Sequence, residues 1–205
     1  MEKLTYDNLI KARDFIMANG TDIDKAWFRY NFENENETDF LRVLSKYQHE
    51  NGGFGGLYHE FAYQGPCLKS TEIAIQYIFG LKHKPSADLP IIKNTIKYLL
   101  DMYLPDRGGW GEVVVPEVNN SAHCYWSRWR GEDISPIENE DERIQKYDAN
   151  EKACFAAFIS YYSELVPNEL CEEILKYPVQ HILRYYDNNS SEYNVELFDK
   201  DCPYP

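Results

Sequence analysis

The chain has 205 residues, of which 43% are hydrophobic and 27% are charged, a composition that supports one substantial hydrophobic core. Its formal net charge of −13 argues against nucleic acid or an anionic membrane as the main partner, since both require clustered Lys and Arg. The N-terminus carries no continuous apolar stretch, so we expect no signal peptide, no membrane span and a cytoplasmic location.

The first part of the chain predicts two helices separated by polar segments. Residues 5–18 are apolar along one face, and Asn19-Gly20 after them is a typical helix stop. Residues 22–25 are assigned to a loop, and the next helix is predicted over 38–49, with apolar residues along one side.

Two segments of the chain are similar to each other. Residues 40–56 and 95–112 each consist of an apolar-periodic stretch, a polar turn, two glycines, one aromatic residue and a further glycine. A repeat built from helices and such turns indicates a helical array. Because no strand precedes the glycines and no Lys follows them, they predict tight turns with positive φ rather than a phosphate-binding loop.

The helices around these turns differ in their predicted exposure. Residues 70–81 and 151–163 are apolar on almost every side, which is typical of buried helices. Residues 90–103 are amphipathic, and a last helix is predicted from about 168 to 186. Pro178 is expected to kink or split that last helix.

The order of buried helix, amphipathic helix and glycine–aromatic turn predicts an all-α fold of about six helices in antiparallel hairpins. A two-layer barrel of this kind is an α/α toroid, and a flat α-solenoid is the alternative. We expect a single domain over residues 1–205. Residues 113–148 form a long insertion without clear helical period, which is typical of functional or flexible segments.

Motifs in both copies resemble a known repeat. They read Gln-x-x-Asn-Gly-Gly-Phe-Gly at 48–55, Ser-Thr-x-x-Ala at 70–74, Asp-Arg-Gly-Gly-Trp-Gly at 106–111 and Asn-x-x-Ala at 150–153. This pattern resembles the prenyltransferase/squalene-oxidase repeat, the unit of the terpenoid cyclase and protein prenyltransferase α/α-toroid superfamily. The resemblance implies a toroid with a central cavity for an isoprenoid-like ligand, and it reports fold better than activity.

The chain departs from that superfamily in its chemistry and its length. The Asp-x-Asp-Asp acid, the aspartate-rich magnesium motif and a recognisable zinc set are absent from the sequence, so no cofactor and no metal ligand is assigned. The resemblance also implies roughly twice as many helices as the sequence predicts. The chain is therefore expected to be half of a longer toroid, to associate with itself or a partner, or to form an open arc.

Glu72 and Glu151 are the leading candidates for catalysis. Each follows a polar residue at the predicted start of a buried helix, so a ring of repeats would bring both carboxylates to one mouth of a cavity as acid and base. The alternative is that each Glu only complements the positive end of its helix.

Aromatic residues and histidines complete the predicted site. His59 and His123 follow the two glycine turns and are candidates for proton transfer at the cavity rim, unless they are ordinary surface histidines. Aromatic side chains stack on apolar or sugar-like ligands, or else anchor a loop. The candidate ligand-binding residues are Tyr58, Glu60, Trp110, Trp126 and Trp129.

Three functions stay open at this point. The first is binding or conversion of an apolar, isoprenoid-like ligand in an aromatic-lined cavity. The second is a carbohydrate-active α/α barrel, a polysaccharide lyase or glycoside hydrolase, which would use aromatic platforms and rim carboxylates. The third is a non-catalytic interaction module. The contents of the cavity would distinguish them.

Overall fold

A computed structural model describes residues 5–57, 63–111, 139 and 149–188. This described part is mostly helical, with seven α-helices and a two-stranded sheet, so the predicted all-α class is confirmed. The helices are α1 (Tyr6–Asn19), α2 (Asp22–Phe32), α3 (Glu37–Leu44), α4 (Leu68–Phe79), α5 (Pro90–Asp101), α6 (Ala149–Tyr161) and α7 (Asn168–Asn188). The antiparallel strands are β1 (Tyr103–Leu104) and β2 (Gly109–Trp110).

The chain divides into two compact units. The first contains helices α1 to α5, and the second contains the strand pair with α6 and α7. None of the described helices combines the length and the apolar character that a membrane crossing requires.

Helix α2 was not expected, and the assignment of residues 22–25 to a loop is wrong. Thr21 begins this helix with a capping box: the Thr21 hydroxyl accepts from the Asp24 N–H at 3.3 Å, and the Asp24 carboxylate accepts from the Thr21 N–H at 2.8 Å. Two N–H groups that helix formation leaves unpaired are satisfied in this way. The helix then buries its apolar side chains, Ile23, Ala26, Phe28 and Tyr30.

The core of the first unit contains an aromatic cluster formed by α2, α3 and α4. The Trp27 ring centroid lies 5.0 Å from that of Phe40 and 5.0 Å from that of Tyr77. Ile75 of α4 is completely buried, as predicted, but Phe79 is 38% exposed at the C-terminal end of the helix. In the last turn Ile78 is buried, so among these apolar residues the predicted burial is wrong for Phe79.

The second unit has its core between α6 and α7. Phe158 and Ile159 of α6 are completely buried, and Ile174 and Tyr177 of α7 are buried beside them. Helix α7 runs through Pro178 without interruption, so the expected split does not occur. A proline inside a helix costs about 3 kcal/mol, and burial of Ile174 and Tyr177 in the turn before it offsets this cost.

The two glycine–aromatic turns share several local features. In the first turn, residues 48–56, Gln48 forms an antiparallel bridge with Phe54; in the second turn, residues 103–111, Tyr103 forms an antiparallel pair with Trp110 across a loop that is one residue longer. The first glycine of each pair has positive φ, 93° at Gly52 and 67° at Gly108. Phe54 is 0% and Trp110 is 2% exposed, so the predicted burial of these aromatics is confirmed, and their equivalence stays a prediction.

Each turn also packs against a tyrosine of the amphipathic helix in its own unit. A methyl group added at Gly53 would lie 2.6 Å from the ring of Tyr98 in α5, and one added at Gly108 would overlap the ring of Tyr177 in α7. The turn backbone can lie directly on the tyrosine ring because no Cβ separates them.

Substitutions at Gly52 and Gly56 distinguish two reasons for glycine at these positions: a positive φ and the close approach of another part of the chain. Both residues have positive φ, but a side chain at Gly52 would overlap the backbone carbonyl of Asn94, whereas one at Gly56 would meet only the flexible end of Gln64. We expect Gly52→Ala and Gly52→Asn to be equally destabilising, each by about 1–3 kcal/mol or more. Gly56→Asn should cost less than Gly56→Ala, because Asn tolerates positive φ.

Urea denaturation of the four variants measures these differences. If Gly52→Asn is much more stable than Gly52→Ala, then glycine is required at this position by its positive φ. The close contact with α5 would then not be the reason for glycine.

Candidate functional site

Only part of the predicted site lies within the described residues. The side chains of Glu72 and Trp110 are described. Glu151 lies in α6, but its side chain is outside the described part. Apart from residue 139, the expected insertion at 113–148 lies outside it. So do the remaining predicted site residues, Tyr58, His59, Glu60, His123, Trp126 and Trp129.

Glu72 is a buried carboxylate held by two side chains of its own helix. It is 6% exposed; its Oε2 lies 3.0 Å from Lys69 Nζ, and its Oε1 accepts from Gln76 Nε2 at 2.9 Å. Because α4 begins at Leu68, two residues before the predicted start, Glu72 lies in the second turn of the helix. Its charge is therefore balanced by Lys69, and the helix end is not its main partner.

Trp110 lies in the core of the second unit. Its ring is edge-on to Tyr103 at 5.3 Å between centroids and to Phe155 of α6 at 5.4 Å. These T-shaped contacts are favourable for aromatic pairs and account for the burial of the indole. Its predicted contact with a ligand stays a prediction.

The polar residues of the first motif connect its turn to α4. The Phe54 N–H donates to the Thr71 hydroxyl at 3.0 Å, and that hydroxyl donates to the Cys67 carbonyl at 2.8 Å. The Cys67 N–H in turn donates to the Phe54 carbonyl at 2.9 Å. Thr71 is completely buried, so its hydroxyl satisfies a backbone N–H that has no access to water.

Gln48 connects the same turn to α5. Its Nε2 lies 3.0 Å from the carbonyl oxygens of Gly52 and Ile91 and 3.1 Å from Thr95 Oγ1. Thr95 is completely buried and donates its hydroxyl proton to the Ile91 carbonyl at 2.7 Å. The motif residues Gln48 and Thr71 thus have a structural role in this unit.

A second polar cluster, centred on Glu37, was not predicted. Glu37 Oε1 accepts from the Tyr30 hydroxyl at 3.1 Å, from the His83 N–H at 2.9 Å and from His83 Nδ1 at 3.1 Å. The Tyr30 oxygen accepts from the Lys82 N–H at 2.7 Å. One carboxylate oxygen therefore connects α2, the start of α3 and the loop after α4.

Hydrogen bonding decides the ionisation of Glu37. Burial alone would raise the pKa of its carboxyl, but the hydrogen bonds from the His83 N–H, the His83 ring and the Tyr30 hydroxyl outweigh burial and hold the pKa below its ordinary value of 4.5. Since an ionised carboxylate only accepts hydrogen bonds, the contact requires a proton on His83 Nδ1, and in the neutral ring the lone pair is then on Nε2.

The sequence contains little that could have revealed this cluster. Glu37 and His83 are 46 residues apart, and no periodicity connects two residues across such a distance. The local signal is the basic run Lys82-His83-Lys84 between a helix and Pro85, which alone indicates an exposed loop.

Among the described residues, no group of three or more His, Cys, Asp or Glu side chains is arranged to hold a metal ion. No family model, no curated protein and no solved structure matches this chain.

The pairing of Glu72 with Lys69 makes a prediction about stability. Lys69→Met should destabilise the protein by about 3 kcal/mol, because it leaves a buried carboxylate without its counter-charge. The double variant Lys69→Met/Glu72→Met should regain most of that stability, because it removes both charges. Lys97→Met is the matched control, since Lys97 pairs with Asp101 at the exposed surface and should cost at most about 0.5 kcal/mol.

Chemical denaturation at neutral pH measures all three variants. Equal unfolding midpoints for Lys69→Met and Lys97→Met would mean that Glu72 does not depend on Lys69.

The pKa of Glu37 makes a prediction about pH. Because the folded-state pKa lies below the unfolded-state value, Glu37 contributes stability above about pH 4.5, and this contribution is lost as the pH falls through the folded-state pKa. Glu37→Gln should therefore weaken the loss of stability between about pH 5 and pH 3. Urea midpoints across this range measure the effect, and Glu173→Gln, which changes an exposed carboxylate of α7, is the control.

Proposed function

We propose that this chain is an α/α-toroid-type protein that binds an apolar, isoprenoid-like ligand at an aromatic-lined centre. The observation that carries the proposal is the repeated turn. Gln48↔Phe54 and Tyr103↔Trp110 are both antiparallel pairs, and each turn has positive φ at its first glycine and a buried aromatic residue. The two copies of the motif therefore have local structural features in common as well as sequence, which supports a repeat.

The helices that follow the turns also support an apolar ligand. Ile75 of α4 and Phe158 and Ile159 of α6 are completely buried, so each unit contributes an apolar helix to its own core. In an α/α toroid, helices of this kind form the inner layer around the centre. A cavity lined by such helices would favour a ligand that loses little hydration on binding, such as an isoprenoid chain.

The state of Glu72 favours binding over acid–base chemistry. Its two carboxylate oxygens are engaged by Lys69 and Gln76, and a general acid or base must instead reach the substrate. The same observation favours a second candidate, a non-catalytic interaction module. A catalytic role for Glu72 together with Glu151, and rim roles for His59 and His123, stay predictions.

Ligand titration tests the proposal. Purified protein is titrated by calorimetry with farnesol, farnesyl diphosphate and a cello-oligosaccharide. We expect saturable binding of farnesol with a negative heat-capacity change, because apolar surface is buried, and no heat from the oligosaccharide. Saturable binding of the oligosaccharide without farnesol binding would support the carbohydrate-active alternative, and binding of neither would support the interaction module.

The same titration with variants tests the carboxylates. Glu72→Gln and Glu151→Gln should bind farnesol as the wild type does, because an apolar chain forms no ion pair with a carboxylate. Glu173→Gln is the control. Product formation from farnesyl diphosphate, followed by mass spectrometry, separates the alternatives further. Turnover by the wild type that is lost in both variants would assign the two glutamates to catalysis.

A further inference from the structure

His83 presents one ring nitrogen to solvent while a carboxylate holds the other. Its side chain is 82% exposed, and its Nδ1 lies 3.1 Å from Glu37 Oε1. The His83 backbone N–H donates to the same oxygen at 2.9 Å, so the residue is bound at two points. This double attachment fixes the ring so that Nε2, which carries the lone pair, points away from Glu37.

A carboxylate on Nδ1 fixes the ring and directs the lone pair of the opposite nitrogen away from the protein. The same arrangement orients histidines that bind metals or transfer protons, because the carboxylate fixes the tautomer and stabilises positive charge on the ring. Glu37 is itself held by the Tyr30 hydroxyl at 3.1 Å, which limits its movement. The oriented pair is therefore part of a connected network and not a single surface contact.

The charges beside His83 favour an anionic reactant. Lys82 and Lys84 flank it in sequence, and both are exposed. The Lys82 ammonium lies 5.4 Å from the centroid of the Tyr30 ring, so it belongs to the same cluster. In a chain with a net charge of −13, this short basic run is the local feature that would attract a phosphate group.

We propose that His83 is a phosphoryl-acceptor site, with Glu37 as the residue that positions its ring. In this reaction the Nε2 lone pair attacks the phosphorus atom of a small phosphoryl donor, and an N–P bond forms. The bond from phosphorus to the leaving group breaks, and that group departs with the electron pair. The Nδ1 proton stays on the ring, where the Glu37 carboxylate balances the positive charge.

Chemical phosphorylation with phosphoramidate tests this proposal. With this donor, the P–N bond breaks and ammonia leaves. The folded protein is incubated at neutral pH, digested and examined under alkaline conditions, because phosphohistidine is labile to acid. His49 is the internal control: it is exposed, and its Nε2 faces the neutral carbonyl oxygen of Gln64 at 2.9 Å and no carboxylate.

We expect His83 to be phosphorylated on the order of tenfold faster than His49, with the phosphoryl group on Nε2. Glu37→Gln should lower the His83 rate by a similar factor and leave the His49 rate unchanged, because only His83 depends on Glu37. His83→Gln should abolish the label on its peptide. Equal rates at the two histidines, an unchanged rate in Glu37→Gln, or modification at Nδ1 would each overturn the proposal.

A measurement on the wild type removes any dependence on the folding of the variants. Nitrogen NMR of the histidine rings reports which nitrogen carries the proton. A protonated Nδ1 and an unprotonated Nε2 at His83 are expected for the neutral ring, and the reverse tautomer would contradict the proposed geometry. Circular dichroism of Glu37→Gln verifies that its rate is measured on folded protein.

Discussion

The close approach of a glycine backbone to a neighbouring helix is the constraint on which the first unit depends. Gly52 and Gly53 lie so near α5 that any side chain would overlap the Asn94 carbonyl or the Tyr98 ring. That distance brings Gln48 within hydrogen-bonding reach of the Ile91 carbonyl and Thr95. A bulkier turn would lift Gln48 from α5 and leave buried polar groups unpaired, which costs about 1–3 kcal/mol for each group.

The same turn directs its aromatic residue into the core. Phe54 is held from both sides of its backbone, since its N–H donates to Thr71 and its carbonyl accepts from Cys67. The glycines, the amide and the hydroxyl of the motif thus all have roles in folding. Because the polar groups of this motif already form structural hydrogen bonds, the motif is informative about the fold. It does not identify a reaction, since catalysis requires groups that can contact a substrate.

The sequence was sufficient where burial follows from local composition. The apolar runs in α4 and α6 predicted buried helices, and the repeated motif predicted the burial of Phe54 and Trp110. Helix α2 was missed although Thr21 and Asp24 form a capping box, because polar residues interrupt its aromatic residues and hide the helical period. For α2, the capping residues indicate a helix more clearly than the spacing of its apolar residues does.

The partners of individual side chains were harder to predict from the sequence than the helices, and the partners of charged side chains were the hardest. Glu72 was predicted to act in catalysis or, as the alternative, to complement a helix end, and the earlier start of α4 gives it Lys69 and Gln76 as partners. A shift of two residues in a helix boundary was enough to change the environment of a carboxylate, and boundaries are the least certain part of a prediction from sequence.

Glu37 and His83 illustrate the stronger limit, since only the tertiary fold brings them together. The two carboxylates also differ in whether a reactive group beside them is open to solvent. Glu72 is 6% exposed, and both of its hydrogen-bond partners, Lys69 and Gln76, belong to its own helix. Glu37 instead holds a histidine whose other nitrogen faces water. A nucleophile must reach its reactant, so the reactive group favoured by this contrast is His83, in a loop outside the repeated motif.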